Sequence, residues 1–516
     1  MTAAKKVFLL IPICLLIFYG LFLTHKINLV TADLGRHLKN GEMIMGGEFP
    51  VLKTNFYSFS QPEFSTTNHH WLSGALFFIT YKISGFAGLS AFFTFISFIT
   101  FLLFFLIARK KAGIGVAGLI SLLIIPLLAS RTEIRPEALS YLLAGIFLYI
   151  LWGVRDKIIS SRWLFTLPAL QIFWVNFHIY FFMGILLIGI FWLESLINKE
   201  LKKELFKRFS LILVLSGIAC LINPFGIYGA LAPLTIFQDY GYKLVENQSV
   251  PFMINYTGQF GGYLLFIIVS VLAVASFIWA FIKKRSSFLI VNFLLMIIFG
   301  GMAWFAIRNI ALFGLFVLPV LAANISYIFG KQIQDYNFPL KISSLAAIAV
   351  IFIAAVSGQW QRSFSYWNEF GLGLESGNSR AAEFFKKEEI KGPIFNNYDI
   401  GGYLIYHLFP KERVFVDNRP EAYSSDFFQE TLIPMQNNND IWLKKDKEYN
   451  FNSIFFSYRD LTPWGQNFLN LRVNDRSWAP VFADEQVIIF VKRNAENKNI
   501  IDKYEIPREA FSTNVN

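Results

Sequence analysis

Cysteine is nearly missing from this chain: two occur in 516 residues. Cys14 and Cys220 both fall inside apolar runs, so they offer no disulfide framework and no metal-ligand spacing. A P-loop is absent, and so is a G-x-G-x-x-G following a strand-like run. The stretches N-Y-D-I-G-G-Y and Q-F-G-G-Y lack the lysine and spacing that cradle phosphates. ATP or a sugar nucleotide is therefore not the donor these residues suggest. No serine elbow is present, and no repeat or low-complexity tract. Charge is scarce too, at 16% of residues.

Apolar residues fill the space left. The chain is 55% hydrophobic, holds 58 Phe and has a mean hydropathy of +0.48. Apolar runs of about 18 residues or more recur, the length that crosses roughly 30 Å of hydrocarbon. This predicts an α-helical, multi-pass integral membrane protein. Its first run, Val7 to Leu23, lies behind Lys5 and Lys6 and is followed by no small-residue cleavage site, so it reads as a retained span.

The net charge of +11 is unevenly spread. Residues 359–516 carry 19 Lys and Arg against 22 Asp and Glu, a net of −3, which leaves +14 for the membrane part. There the basic residues cluster between spans, a positive-inside pattern and not a nucleic-acid footprint. With the basic clusters placed inside, the N-terminus is cytoplasmic and about 11 spans follow, near 7–24, 87–108, 113–130, 137–152, 163–176, 179–197, 209–222, 261–282, 286–306, 309–329 and 342–358. Inner segments then hold 18 Lys and Arg, outer segments nine. Residues 71–83 are too short to span and read as an interfacial helix within an outer loop, 25–86. The domains expected are 1–358, multi-span, and 359–516, extracytoplasmic. The second alternates strand-like runs (P-I-F-N-N, R-V-F-V-D, N-S-I-F-F-S-Y, Q-V-I-I-F-V-K-R) with helical ones such as S-R-A-A-E-F-F-K-K, which predicts a small α/β domain.

Ionisable residues beside a membrane core are costly, so their placement is informative. All six histidines fall on the outer side of this path, with Asp33, Arg131, Glu133, Arg135, Glu137, Asp239, Glu246 and Arg308. Asp33, Arg36, His37 and Asn40 share one face of a helix (i, i+3, i+4, i+7), either as a solvated stripe or as the floor of a site. Arg308 stands alone between two apolar runs. It needs an anionic partner, either a carboxylate such as Glu137 or a lipid phosphate, which a guanidinium fork suits. Arg131 and Arg135 have the same chemistry, but Pro136 makes theirs a true loop, where solvation is the competing reading. His69 and His70 are adjacent and diverge on a helix, so a divalent metal there would need Asp33, His37 or Glu246 as well. Glu246 sits in a partly apolar loop, where burial would raise its pKa and suit it to act as a base or to bind acceptor; simple solvation is the other reading. Asp417 and Arg419 read as a structural ion pair or as ligands at a strand end.

With those residues placed, the chain resembles the membrane glycosyltransferases of the GT-C superfamily. The resemblance rests on a first span and an outer loop opening with D-L-G-R-H-L-K-N-G-E-M-I, then H-W-L-S-G-A-L, a string of spans and an outer C-terminal domain. More closely, it is similar to uncharacterised bacterial multi-pass proteins of glycosyltransferase type. Those share blocks such as N-F-Y-S-F-S, R-P-E-A-L-S-Y, W-V-N-F-H, N-P-F-G, R-N-I-A-L-F and F-N-N-Y-D-I-G-G-Y-L. The blocks are short, and their order over most of the chain is the stronger signal. Relatives often carry tryptophans where this chain has Leu34-Gly35-Arg36, and a glutamate where it has His70. The Asp-Glu pair of protein mannosyltransferases is missing, since Leu34 follows Asp33.

The resemblance implies a transferase for hexosyl or pentosyl groups. Its donor is a polyprenyl-phosphate-linked sugar, its acceptor an envelope glycan, lipid or protein, and its mechanism inverting. Asp33 would be the catalytic base. Arg308 and Arg135 would meet the phosphate. Apart from the resemblance, the placement of His37, Glu246 and His70 on the outer side makes them substrate-binding candidates; a divalent metal is possible, and the charge pattern argues against nucleic acid. A transporter or flippase for an amphiphilic envelope precursor, and a non-catalytic glycan-binding scaffold, stay open as alternatives.

Overall fold

The computed structural model describes residues 10–31, 33–198, 203–235, 240–242, 244–283, 289–330, 337–356 and 369–511. The boundary expected at 358/359 and Asp239 lie outside these residues. Two compact units emerge. One comprises the described residues within Met1–Lys26, Ser90–Leu234 and Leu244–Leu372; the other those within Ile27–Leu89, Thr235–Lys243 and Gly373–Asn516.

The first unit is helical. Among the described residues of the whole chain, five helical stretches are long and apolar enough to cross a membrane: Trp71–Leu128, whose first part to Leu89 belongs to the second unit, Glu137–Arg155, Ile179–Ile197, Phe260–Lys283 and Ile307–Phe329. Shorter apolar helices cover Leu10–Leu23, Ile290–Phe305 and Phe338–Ile353. Only 33% of the Phe260–Lys283 window is buried, and Val271, Ile278, Trp279 and Phe281 stand exposed on it. Water would penalise such a surface and lipid would not. The chain is a multi-pass membrane protein with a small C-terminal sheet. Its helices are tied by polar bridges of the kind hydrocarbon favours. Asn292 donates to Asn324 Oδ1 (2.9 Å), and Asn324 donates to Ser276 Oγ (2.9 Å).

Helical backbone runs without a gap from Trp71 to Leu128, where three separate elements were expected. A straight helix of 58 residues would extend about 87 Å, nearly three hydrocarbon cores. Gly85 (φ +63°) and Gly113 (φ +81°) prevent that. Both are left-handed, a conformation that interrupts a right-handed helix and that glycine adopts without strain. They part the run into 71–84, 86–112 and 114–128.

The second unit is built on four strands: β1 (Ile394–Asn396), β2 (Ser453–Ser457), β3 (Trp478–Ala483) and β4 (Val487–Lys492). Their order is β1-β2-β4-β3, with β1 parallel to β2 and the other pairs antiparallel. β1 and β2 are buried throughout, which is why they read as continuous apolar runs. β3 escaped the sequence reading because Pro480 sits in it, beside a register shift between Pro480 and Phe482. The run R-V-F-V-D is not a strand. Its backbone is held by side chains instead: Asn396 accepts from Phe415 N (2.9 Å) and donates to Val416 O (2.7 Å), and Ser58 and Ser60 both donate to Phe415 O.

Most of the loop expected at 25–86 folds into this unit. Ile27 bridges to Leu374 and Ser58 to Val414. Helix Leu34–Met45 crosses two partners at glycines. A Cβ on Gly35 would lie 2.7 Å from Gly402 O, and one on Gly41 would lie 2.2 Å from Gly74 O. Gly35 thus holds a place that a tryptophan could not fill here.

Gly41→Ala is expected to destabilise the detergent-solubilised protein by about 1–3 kcal/mol, the range for overpacking. Gly189→Ala, whose added Cβ meets nothing within 4 Å, serves as the control with an unchanged melting temperature. Equal melting of both variants would contradict the close crossing.

Candidate active site

Two clusters gather the expected site residues, one in each unit. In the helical unit, Pro136 closes a short loop and Glu137 opens helix Glu137–Arg155. That loop presents Arg131, Glu133 and Arg135. Glu246 lies on the short turn Val245–Asn247, and Arg308 on the turn Ile307–Asn309 that joins two apolar helices. These elements bring three guanidiniums onto three carboxylates. Arg131 donates to both oxygens of Glu137 (2.5 and 2.9 Å) and to Glu246 Oε2 (2.7 Å). Arg135 donates to Glu133 Oε2 (2.8 Å) and Glu246 Oε2 (3.1 Å). Arg308 reaches Glu246 Oε1 (3.1 Å), Asn247 Oδ1 (3.2 Å) and Glu137 Oε2 (3.4 Å).

Arg308 therefore has the carboxylate partner that the sequence demanded, and a second one. Formal charge in the cluster sums to zero, so an arriving phosphate must take a place now held by a carboxylate. Arg308 Nε is buried with no hydrogen-bond partner among the described residues. An unmade bond on a buried guanidinium is expensive, and an anionic oxygen would satisfy it. A small cavity beside the cluster is lined by Tyr19, Ser97, Thr100, Arg131, Glu133 and Tyr141, among others.

Burial alone would raise the Glu246 carboxyl. Arg308, Arg135 and Arg131 outweigh it and hold the group well below the usual carboxylate range. Glu246 is thus charged, and the expectation of a raised pKa is corrected: the loop is apolar in sequence, but three cations converge on it in space. Nearby, His178 ends helix Thr166–Phe177 in an extended conformation and shares a hydrogen bond with Ser140 (3.0 Å), a structural junction.

In the sheet-bearing unit, Asp33 stands immediately before helix Leu34–Met45. The stripe that could have been solvated is not. Arg36, His37 and Asn40 are all buried, while Asp33 is partly exposed. Asn418 donates to Asp33 Oδ1 (2.5 Å) and accepts from Arg36 Nε (3.0 Å). Tyr57 OH donates to Asn40 Oδ1 (2.9 Å). The His37 and His70 rings meet edge to face, centroids 5.6 Å apart. Burial lowers His69 to about 4, so it is neutral at pH 7.

Asp417 and Arg419 form the ion pair weighed for them. Arg419 Nε donates to Asp417 Oδ1 (2.8 Å) and its terminal nitrogen to Oδ2 (2.6 Å), both residues being buried. Beside them the Glu421 carboxyl is pushed up by burial, against the pull of its own backbone N–H and of Arg36 and Arg419.

Two residues escaped the sequence reading. Asn418 lies between Asp417 and Arg419 in a stretch already singled out. Tyr398 belongs to F-N-N-Y-D-I-G-G-Y, and its buried hydroxyl has no hydrogen-bond partner among the described residues. Burial, then the Glu421, Tyr242, Asp33 and Asp399 groups, raise that phenol far above its ordinary range. Only the fold, which returns residues 398–421 to the first loop, reveals either one. As for metal, no group of three His, Cys, Asp or Glu side chains is placed to hold an ion among the described residues; the three carboxylates of the cluster are taken up by guanidiniums. His37 and His70 alone do not make a ligand set, so no step is routed through a metal.

No family model matches the chain, and no curated protein does. Solved structures do. The archaeal oligosaccharyltransferase AglB from Archaeoglobus fulgidus, in complex with an inhibitory peptide and a dolichol-phosphate, superposes with a TM-score of 0.61 at 12% identity, over 96% of this chain and 75% of that one. ArnT from Cupriavidus metallidurans, bound to undecaprenyl phosphate, gives 0.52 at 13% identity, over 96% and 99%. The Archaeoglobus fulgidus oligosaccharyltransferase in complex with Zn and sulfate gives 0.56 at 12%, over 93% and 73%.

The Glu246 pKa sets an acid dependence. Its folded value lies below its ordinary 4.5. The stabilisation is therefore complete above that pH and is lost as pH falls toward the folded value. Melting temperature should drop between about pH 5 and pH 3, and less steeply in Glu246→Gln than in wild type. Identical acid limbs would contradict the pairing. The chain shares its fold with the AglB and ArnT structures.

Proposed function

We propose that this protein is an inverting membrane glycosyltransferase. Its donor is a sugar linked to a polyprenyl phosphate, and its acceptor a hydroxyl on an envelope glycan, lipid or protein. The observation that carries the proposal is the fold shared with two proteins solved with polyprenyl phosphates, the oligosaccharyltransferase AglB with a dolichol-phosphate and ArnT with undecaprenyl phosphate. The proposed topology has eleven spans, a cytoplasmic N-terminus and an extracytoplasmic C-terminal domain; the clustered inner Lys and Arg support it.

The chemistry assigns roles by need. An acceptor hydroxyl must lose a proton as its oxygen bonds to the anomeric carbon. Asp33, a partly exposed carboxylate at the head of a buried helix, takes that proton. The bond from that carbon to the phosphate oxygen breaks, and its electron pair leaves on the polyprenyl phosphate. Positive charge must meet it there. Arg308, with an unsatisfied Nε, and Arg135 supply that charge, and Glu246 gives way to the phosphate. His37 and His70 contact substrate beside Asp33.

The test is transfer from radiolabelled undecaprenyl-phosphate hexoses and pentoses into envelope fractions by membranes carrying the full chain. Asp33→Asn should lower the rate about 10²–10⁴-fold, the range for losing a general base. Arg308→Gln should weaken saturation by the lipid donor while leaving the protein in the membrane. Equal transfer by wild type and Asp33→Asn would overturn the assignment of the base.

A further inference from the structure

We infer that Asn418 is a positioning residue for Asp33, locked in one orientation by Arg36. The inference rests on the proposed role of Asp33 as base. A side-chain amide has a donor end and an acceptor end, and its neighbours decide which faces where. Here both neighbours are one-sided. A guanidinium only donates, so Asn418 must turn Oδ1 to Arg36 Nε (3.0 Å). An ionised carboxylate only accepts, so Asn418 must turn Nδ2 to Asp33 Oδ1 (2.5 Å). A flipped amide would set NH₂ against the guanidinium and oxygen against the carboxylate. Each contact therefore enforces the other.

Geometry supports the device from both sides. Asp33 and Arg36 are three residues apart, so one turn of backbone fixes their separation. Asn418 is flanked by Asp417 and Arg419, which are buried and bonded to each other. Arg419 also donates to Asn55 Oδ1 (2.9 Å), and Asp417 N donates to the Tyr423 hydroxyl (2.9 Å). The chain on either side of the amide is thus anchored.

The chemical gain lies in the spacer. A guanidinium bonded directly to the base would stabilise its ionised form and weaken its hold on a proton. A neutral amide between them transmits orientation while keeping the cation one residue away. Asn418 exchanges no proton in the reaction. The acceptor proton goes to Asp33, the new C–O bond forms, and the electron pair of the old one leaves on the phosphate.

The test uses the full chain in membranes, with whichever radiolabelled undecaprenyl-phosphate sugar the wild type transfers. Asn418→Leu should lower kcat about 10–100-fold, the scale of a small misplacement of a reacting group, with the donor KM unchanged. Arg36→Leu should match it, and Arg36→Lys, which can still donate to Oδ1, should recover most of the rate. Because Asn418 acts through Asp33, the double variant Asp33→Asn/Asn418→Leu should be no slower than Asp33→Asn alone. If Asn418→Leu fails to fold, the Arg36→Leu and Arg36→Lys pair carries the test. Wild-type rate in Asn418→Leu, or a full additional loss in the double variant, overturns the inference and leaves the Asp33 reading standing. Wild-type rate in Asp33→Asn, or no transfer from any donor by wild type, overturns that reading, and the inference with it.

Discussion

A charge taken out of water must be met by opposite charge, and both units are arranged around that rule. In the helical unit, three arginines from two separate parts of the chain converge on Glu137 and Glu246. Without them, Arg131 and Arg308 would be buried charges left unpaired. The loop before Glu137, the turn at Glu246 and the turn at Arg308 are held in register by these bonds, since moving one element strands a charge on another. In the sheet-bearing unit the same rule operates on Asp417 and Arg419. Their pair fixes the chain next to Asn418, and through it the surroundings of Asp33.

Close backbone approach is the second device. Helix Leu34–Met45 buries Arg36, His37 and Asn40, side chains that would ordinarily seek water. It can do so because glycines let its backbone come near its partners, at Gly35 with Gly402 and at Gly41 with Gly74. Polar side chains are then enclosed with partners supplied by distant sequence: Asn418 for Arg36 and Tyr57 for Asn40. A buried polar stripe with supplied partners is rigid, which is what a positioned base requires.

Much of this was legible in the sequence. Apolar run length gave the helical membrane architecture, and continuous apolar runs gave β1, β2 and β4. The need for a partner at Arg308 was readable because a lone guanidinium between apolar runs has few ways to exist. Other features depended on tertiary contacts. Pro480 masked β3. R-V-F-V-D looks like a strand by alternation, yet Asn396 and two serines hold its backbone. Glu246 invited a raised pKa from its apolar loop, and only the convergence of three arginines reverses the sign. Asn418 was invisible because its partners, Asp33 and Arg36, lie almost four hundred residues earlier, a pairing that no periodicity encodes.

The central claim is that the sugar and its lipid carrier part company on this protein. Reconstitution of the full chain into liposomes, with a polyprenyl-phosphate sugar labelled separately in lipid and sugar, tests it most directly. Supplied with envelope acceptor, the account predicts that the sugar label moves to the acceptor with inverted anomeric configuration. One polyprenyl phosphate is released for each sugar transferred. Passage of both labels together across the bilayer, with the sugar–phosphate bond intact, would contradict it and identify a transporter instead.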